Sequence, residues 1–127
     1  MAWAYCPPTV LGQTRMEVRM PSETPFFVED IASAVGEIPA DGILSRTVYK
    51  AANVRVVLFG FGAGQELTEH TSPYRATLIV GRGRLRVTVG AETFECAAGS
   101  CLIIPPQAPH SVHALEESAF LLLMTGA

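Results

Sequence analysis

Two histidines, His70 and His110, are the side chains whose type and position most favour chemistry. His70, Ser72 and Ala76 have the same parity, so on one extended strand their side chains point to the same face. His110 and Val112 share a parity on a later segment. If a β-barrel brings these faces together, both imidazoles and the Ser72 hydroxyl line one cavity.

The rest of the predicted cavity wall is apolar. Its residues are expected to be Val54, Val56, Leu58, Leu78, Val80 and Val112. A neutral imidazole both donates and accepts a hydrogen bond, and a serine hydroxyl does the same. An apolar cavity with a few convergent polar groups is typical of a small-molecule site.

Three further polar side chains lie near the two histidines in sequence. Glu66 has the parity of His70, so it is the candidate third metal ligand; the alternative is a solvated acid at the barrel rim. Glu69 has the wrong parity. His113 is three residues from His110, which on a regular strand puts it on the opposite face. We expect His113 to pack under the N-terminal arm or at a dimer interface, unless a bulge brings it into the site.

Turn residues divide most of the chain into short β-branched and aromatic segments. Residues 1 to about 25 are rich in proline and predict an arm, either irregular or added to a sheet edge. Residues 27–35 have the spacing of a short helix. Eight strands are predicted, at 45–51, 53–61, 75–81, 84–90, 92–97, 101–105, 110–115 and 118–124. This pattern predicts an all-β fold, an antiparallel sandwich or barrel.

The spacing of glycines and histidines resembles that of the two cupin motifs. The first motif usually reads Gly, His-x-His, Glu, Gly, and its positions here hold Gly64, His70, Ser72, Ala76 and Gly83. The second usually reads Gly, Pro-x-Gly, His, Asn, and its positions here hold Gly99, Pro105, Gln107, His110 and Ala114. The chain is therefore similar to small single-domain, RmlC-like cupins with a degenerate metal-binding motif.

This resemblance implies a jelly-roll barrel at residues 41–127, preceded by an N-terminal arm at residues 1–40. In cupins, three histidines and a glutamate of the two motifs bind one divalent metal, and only His70 and His110 match those positions. Zinc takes three or four protein ligands, and non-haem iron two histidines and a carboxylate. We therefore expect no cofactor. The alternative is Zn, Fe, Mn or Ni held by His70 and His110, with Glu66 as a third ligand.

The composition limits the classes of partner that this protein is expected to bind. The formal net charge of −3 argues against a nucleic-acid partner. No apolar stretch reaches the roughly 18 residues of a membrane span, so no membrane association is expected. The apolar fraction of 49% favours a homodimer with a shared apolar face. The N-terminus lacks the pattern of a secretory signal, which predicts a cytoplasmic protein whose Cys96 and Cys101 are reduced and mostly buried.

Three functions remain open from the sequence. The preferred one is a binding module that holds a small organic ligand in a pocket formed by His70, Ser72, Ala76, Leu78, His110 and Val112. The second is a metal-dependent dioxygenase or isomerase that uses His70 and His110. The third is a metal-free acid–base enzyme that uses the same two histidines. Neither the ligand nor the presence of a reaction follows from the sequence.

Overall fold

A computed structural model describes residues 24–126, which form nine strands and one short helix. The helix α1 spans Ile31–Ala34. The strands are β1 (Ile43–Ala51), β2 (Val54–Phe61), β3 (Glu66–His70), β4 (Arg75–Arg82), β5 (Arg84–Val89), β6 (Glu92–Ala97), β7 (Cys101–Ile104), β8 (His110–Ala114) and β9 (Ser118–Thr125). The eight predicted strands are present with small changes in their ends, and β3 is a ninth that the sequence pattern did not predict.

The strands form two antiparallel sheets. The five-stranded sheet has the order β1-β2-β9-β4-β7, and the four-stranded sheet has the order β3-β8-β5-β6. Strand β9 lies between β2 and β4, so the end of the chain is inserted into the middle of the larger sheet. This crossed connectivity is that of a jelly roll. The predicted all-β antiparallel jelly roll is confirmed, and in residues 24–126 its strands are divided between two sheets.

Apolar side chains from both sheets form the interior. Strand β5 alternates as predicted, since Leu85 and Val87 are fully buried whereas Arg84 and Arg86 are exposed. The same core contains Phe61, Ala76, Leu78, Val80, Cys96, Ile104, Val112, Ala114 and Phe120. Full burial of a side chain such as Leu, Val or Phe stabilises a fold by about 1.5–3 kcal/mol, so this core holds the two sheets together.

Strand β2 directs a different set of residues inward from the one predicted. Phe59 and Phe61 pack in the interior, whereas Leu58 packs in a second apolar cluster with residues of the N-terminal segment. Val54 and Val56 share the parity of Leu58, so they also lie on the outer face. The prediction that these three residues line the cavity is wrong. Because β2 is apolar on both faces, its alternation does not reveal which face is internal.

Residues 31–40 cover part of the outer face of the five-stranded sheet. Helix α1 begins after Asp30, whose carboxylate accepts a hydrogen bond from the Ala32 backbone N–H at 3.2 Å. The predicted helix over 27–35 is therefore too long, and Phe27 is 79% exposed. Val35 and Ile38 pack against Leu58 and Ala119 in the second apolar cluster.

Two glycines allow this segment to lie directly on the sheet. A Cβ atom on Gly81 would be 2.7 Å from Cγ2 of Ile31, and one on Gly60 would be 2.7 Å from Cγ1 of Ile38. Residues 31–38 of the predicted arm are therefore packed on the sheet. The domain boundary between residues 40 and 41 stays a prediction, and residues 1–23, where most of the arm was placed, lie outside the described residues.

The cysteines differ in exposure. Cys96 and Cys101 are both free; Cys96 is buried, as predicted, but Cys101 is exposed on the edge strand β7, which corrects the prediction. Burial raises the pKa of the Cys96 thiol. Among the described residues, no helix has the length and apolar character needed to cross a bilayer. The homodimer and the cytoplasmic location stay predictions.

Gly83, between β4 and β5, is the position where the fold most needs a glycine. Its φ is +90°, and a Cβ atom there would overlap the Glu117 carbonyl and the Ser118 side chain. Ser118 is fully buried, and its hydroxyl accepts a hydrogen bond from the Arg84 backbone N–H at 3.0 Å. The backbone and buried side-chain atoms around Gly83 therefore cannot easily shift to accommodate a larger residue.

We predict that Gly83→Ala lowers the free energy of unfolding by about 2–4 kcal/mol, through the left-handed backbone and the overlap together. Gly64→Ala is the matched control, because Gly64 has a φ of +83° but a Cβ atom there would have no neighbouring atom within 4 Å. We expect it to cost about 1 kcal/mol. Urea unfolding followed by circular dichroism measures both, and equal losses would contradict the packing described for Gly83.

Candidate functional site

The imidazoles of His70 and His110 lie against each other at one end of the four-stranded sheet. His70 ends β3, His110 begins β8, and the two residues are direct cross-strand partners. Their ring centroids are 4.2 Å apart, and the ring planes are inclined by 61°. His110 is 7% exposed, whereas His70 is exposed. The pair therefore has one ring in the interior and one at the rim.

A β-bulge in β3 determines which side chains share a face with His70. Leu67 pairs with Val112 and His70 pairs with His110, so β3 has one residue more than β8 over this interval. The extra residue reverses the alternation of side chains. As a result Leu67, and not Glu66, lines the same cavity as His70.

Glu66 and His113 face each other away from that cavity. They are cross-strand partners, and the Glu66 carboxylate is 3.8 Å from Nδ1 of His113 at a partly exposed position. The prediction that His113 and His110 lie on opposite faces of β8 is confirmed by the burial pattern of that strand. The parity argument that placed Glu66 beside His70 is wrong, because it assumed a regular strand.

Hydrogen bonds to the backbone set the tautomer of both rings. Nδ1 of His70 is 2.9 Å from the Thr68 carbonyl oxygen, and Nδ1 of His110 is 2.9 Å from the Ala108 carbonyl oxygen. A carbonyl oxygen can only accept, so each Nδ1 carries the proton and donates. In a neutral ring Nε2 is then an acceptor with a free lone pair. The two histidines thus present a pair of acceptors.

A small cavity lies beside the histidine pair between the two sheets. Of the predicted pocket residues, His70, Leu78, His110 and Val112 line it. The unpredicted residues in the lining include Phe59, Leu67, Ile104, Phe120 and Leu122. The cavity volume is about 20 Å³, and one water needs about 10–15 Å³. The cavity therefore accommodates one or two waters, or one small polar group of a larger molecule.

Ser72 and Ala76 do not line this cavity. Strand β3 ends at His70, Ser72 is in the loop that follows, and Ala76 is buried in β4 of the opposite sheet. The prediction that the three residues lie on one strand is therefore wrong. The Ser72 hydroxyl accepts a hydrogen bond from the Tyr74 backbone N–H at 3.1 Å, so it shapes the loop.

The loops on either side of the histidine pair are tied together. The backbone N–H of Gln107 donates to the Ser72 carbonyl oxygen at 2.8 Å, which joins the β7–β8 loop to the β3–β4 loop. Gln107 has a φ of +68°, a conformation that favours glycine, and it occupies the glycine position of the second motif. The hydrogen bond offsets part of the resulting strain and keeps the rim of the cavity in place.

These residues do not fit a divalent-metal centre. In the described chain, no group of three or more His, Cys, Asp or Glu side chains converges closely enough to hold an ion. The Nδ1–H bonds to carbonyl oxygens are the kind that orient metal-binding imidazoles. The pair nevertheless supplies only two nitrogen ligands, whereas zinc sites use three or four protein ligands. The two histidines are therefore an incomplete metal site.

The sequence of this protein matches a known family over the part of the chain that forms these strands. A family model described as a cupin domain matches residues 57–126, which is more than half of the 127 residues. The protein belongs to the cupin family. The cupin resemblance inferred from the two motifs is confirmed, and both histidines of the site lie inside the matched region.

Solved structures agree with this assignment. A conserved protein of unknown function from Streptococcus pyogenes is 26% identical, with a TM-score of 0.73 over 89% of this chain and 98% of that one. A cupin superfamily protein from Desulfitobacterium hafniense is 18% identical, with a TM-score of 0.73 over 90% and 100% of the two chains. The second similarity concerns the fold alone. The comparison with curated proteins finds no match.

The misfit to a metal centre gives a direct prediction. After purification without a chelating tag and dialysis against buffer, we expect less than about 0.1 equivalent of any divalent metal, because two imidazoles make an incomplete site. Added Zn²⁺ or Ni²⁺ is expected to raise Tm only slightly, and by the same amount in the unchanged protein and in His110→Leu. Differential scanning fluorimetry measures both shifts. About one equivalent retained, and lost in His110→Leu, would contradict this description of the site.

Proposed function

We propose that this cupin binds a small organic molecule that carries a hydrogen-bond donor group. This group would lie between His70 and His110, whose imidazoles would accept its hydrogen bonds. The observation that supports the proposal is the pair of imidazoles whose Nδ1–H groups are both used by backbone carbonyls. Each neutral ring then offers an Nε2 acceptor, so a hydroxyl or amino group is the complementary partner. Other residues around the cavity are apolar, which increases the selectivity for a correctly placed donor.

The cavity volume limits how much of the ligand enters. Space for one or two waters takes a terminal hydroxyl or amino group and not a whole organic molecule. The apolar body of the ligand would then contact the partly exposed side chains of the lining, among them Leu67 and Leu122. His70, exposed at the rim, would meet the ligand first, and His110 would contact the inserted group in the interior.

Two enzymatic functions are the alternatives. A metal-dependent dioxygenase or isomerase requires more ligands than the two that the pair brings together within residues 24–126. A metal-free acid–base enzyme would use Nε2 of one ring to take the proton of the inserted group. Binding is the more economical proposal, because it requires only the two acceptors and the apolar surroundings already described.

Phenol and anisole test the proposal, because they share a ring and only phenol has a donor. We expect phenol to shift the ring ¹⁵N signals of His70 and His110 and to bind about fivefold more tightly than anisole, as one hydrogen bond contributes about 0.5–1.5 kcal/mol. NMR titration of protein labelled with ¹⁵N-histidine measures both affinities.

The variants His110→Leu and His70→Ala should remove the preference for phenol. His113→Ala is the matched control, since this imidazole lies beside Glu66 and away from the cavity, and it should retain the preference. Equal affinities for phenol and anisole in the unchanged protein would contradict the proposal. So would a preference that survives both substitutions in the pair.

A further inference from the structure

A second recess opens at the end of the five-stranded sheet, around the turn between β1 and β2. Its volume is about 220 Å³. Its lining includes the cations Lys50 and Arg55 together with Asn53, Tyr74 and Met124, and it contains no carboxylate among the described residues. The recess is therefore large enough for a small organic molecule and has an excess of positive charge.

The two cations occupy an electrostatically unfavourable position. Lys50 and Arg55 are direct partners across β1 and β2, so their side chains are on the same face of the sheet. The ion pairs formed within residues 24–126 involve Arg82, Arg84 and His113, and neither Lys50 nor Arg55. Like charges directly opposite each other destabilise a sheet. An anion between the two would convert this repulsion into two attractive contacts.

Arg55 and Met124 of the recess are on the same face of the sheet as the histidine cavity. Met124 is the cross-strand partner of Arg55 on one side and of Ala76 on the other, and Ala76 is paired with Ile104 of the cavity lining. Along β9, Met124 is two residues from Leu122, which also lines the cavity, and this spacing corresponds to about 7 Å. Arg55 and Leu122 are diagonal neighbours across β2 and β9, about 7–8 Å apart, so a molecule of that length can reach from Arg55 to the cavity lining.

We propose that the ligand of this cupin is a small organic acid, whose carboxylate binds between Lys50 and Arg55 while its hydroxyl or amino group enters the histidine cavity. The proposal rests on the proposed function, since the donor end of the ligand is placed there. Arg55 offers a planar guanidinium that matches a carboxylate, and Lys50 adds a second charge. The apolar side chains of Met124 and Leu122 would contact the body of the molecule between its two polar ends.

The probes are 4-hydroxybenzoate and 4-hydroxybenzamide, which share the ring and the hydroxyl but differ in charge. At constant ionic strength, we expect the benzoate to bind about tenfold more tightly, as charged hydrogen bonds are stronger than neutral ones. NMR titration should show shifts of the Arg55 side-chain Nε signal and of both histidine rings with the benzoate.

Arg55→Gln should reduce the advantage of the benzoate to within about twofold and leave the affinity for the benzamide unchanged. Lys50→Gln should also reduce the advantage of the benzoate. Lys50 is exposed, so this substitution does not alter the core. Arg86→Gln is the matched control: this arginine is exposed on β5 of the other sheet, outside the ion pairs within residues 24–126, and the advantage should persist.

The outcomes separate the two proposals. If both probes shift the histidine rings with equal affinity and Arg55→Gln has no effect, the carboxylate site is wrong and the proposed function stands. If the benzoate shifts Arg55 but leaves the histidine rings unchanged, the anion site alone stands and the combined ligand is wrong. No shift of Arg55 with the benzoate would also overturn the inference.

Discussion

The pairing of His70 with His110 beyond the β-bulge is the constraint on which the site depends. The extra residue between Leu67 and His70 turns both of these side chains inward, although they differ in parity. The same residue directs Glu66 towards His113. One irregularity in a five-residue strand therefore brings two imidazoles together and leaves the Glu66 carboxylate on the other side of the sheet.

The character of the site follows from how these two rings are held. Backbone carbonyls take both Nδ1–H groups, which leaves Nε2 as the free acceptor of each neutral ring. In a metal-binding cupin the same orientation would serve an ion, but here too few other ligands surround it within residues 24–126. The hydrogen bond from the Gln107 backbone N–H to the Ser72 carbonyl oxygen holds the neighbouring loops, so Ser72, at a motif position that usually holds a metal-binding histidine, shapes the rim instead.

The sequence was sufficient for the fold and for the two histidines, but not for the details around them. Strand β5, with one polar and one apolar face, showed its inward residues directly, and motif spacing identified His70 and His110. Strand β2 is apolar on both faces, so Phe59 could not be distinguished from Leu58. The bulge that brings in Leu67 has no sequence signal of its own, because it arises from the pairing of β3 with β8.

The position of the ring proton in His70 and in His110 is the most direct test of this account. Long-range ¹H–¹⁵N spectra of protein labelled with ¹⁵N-histidine, recorded where the rings are neutral, identify which nitrogen of each imidazole carries the proton. We predict that both His70 and His110 are protonated at Nδ1 and free of a proton at Nε2. A proton on Nε2 of either ring would contradict the paired acceptors on which the proposed binding site rests.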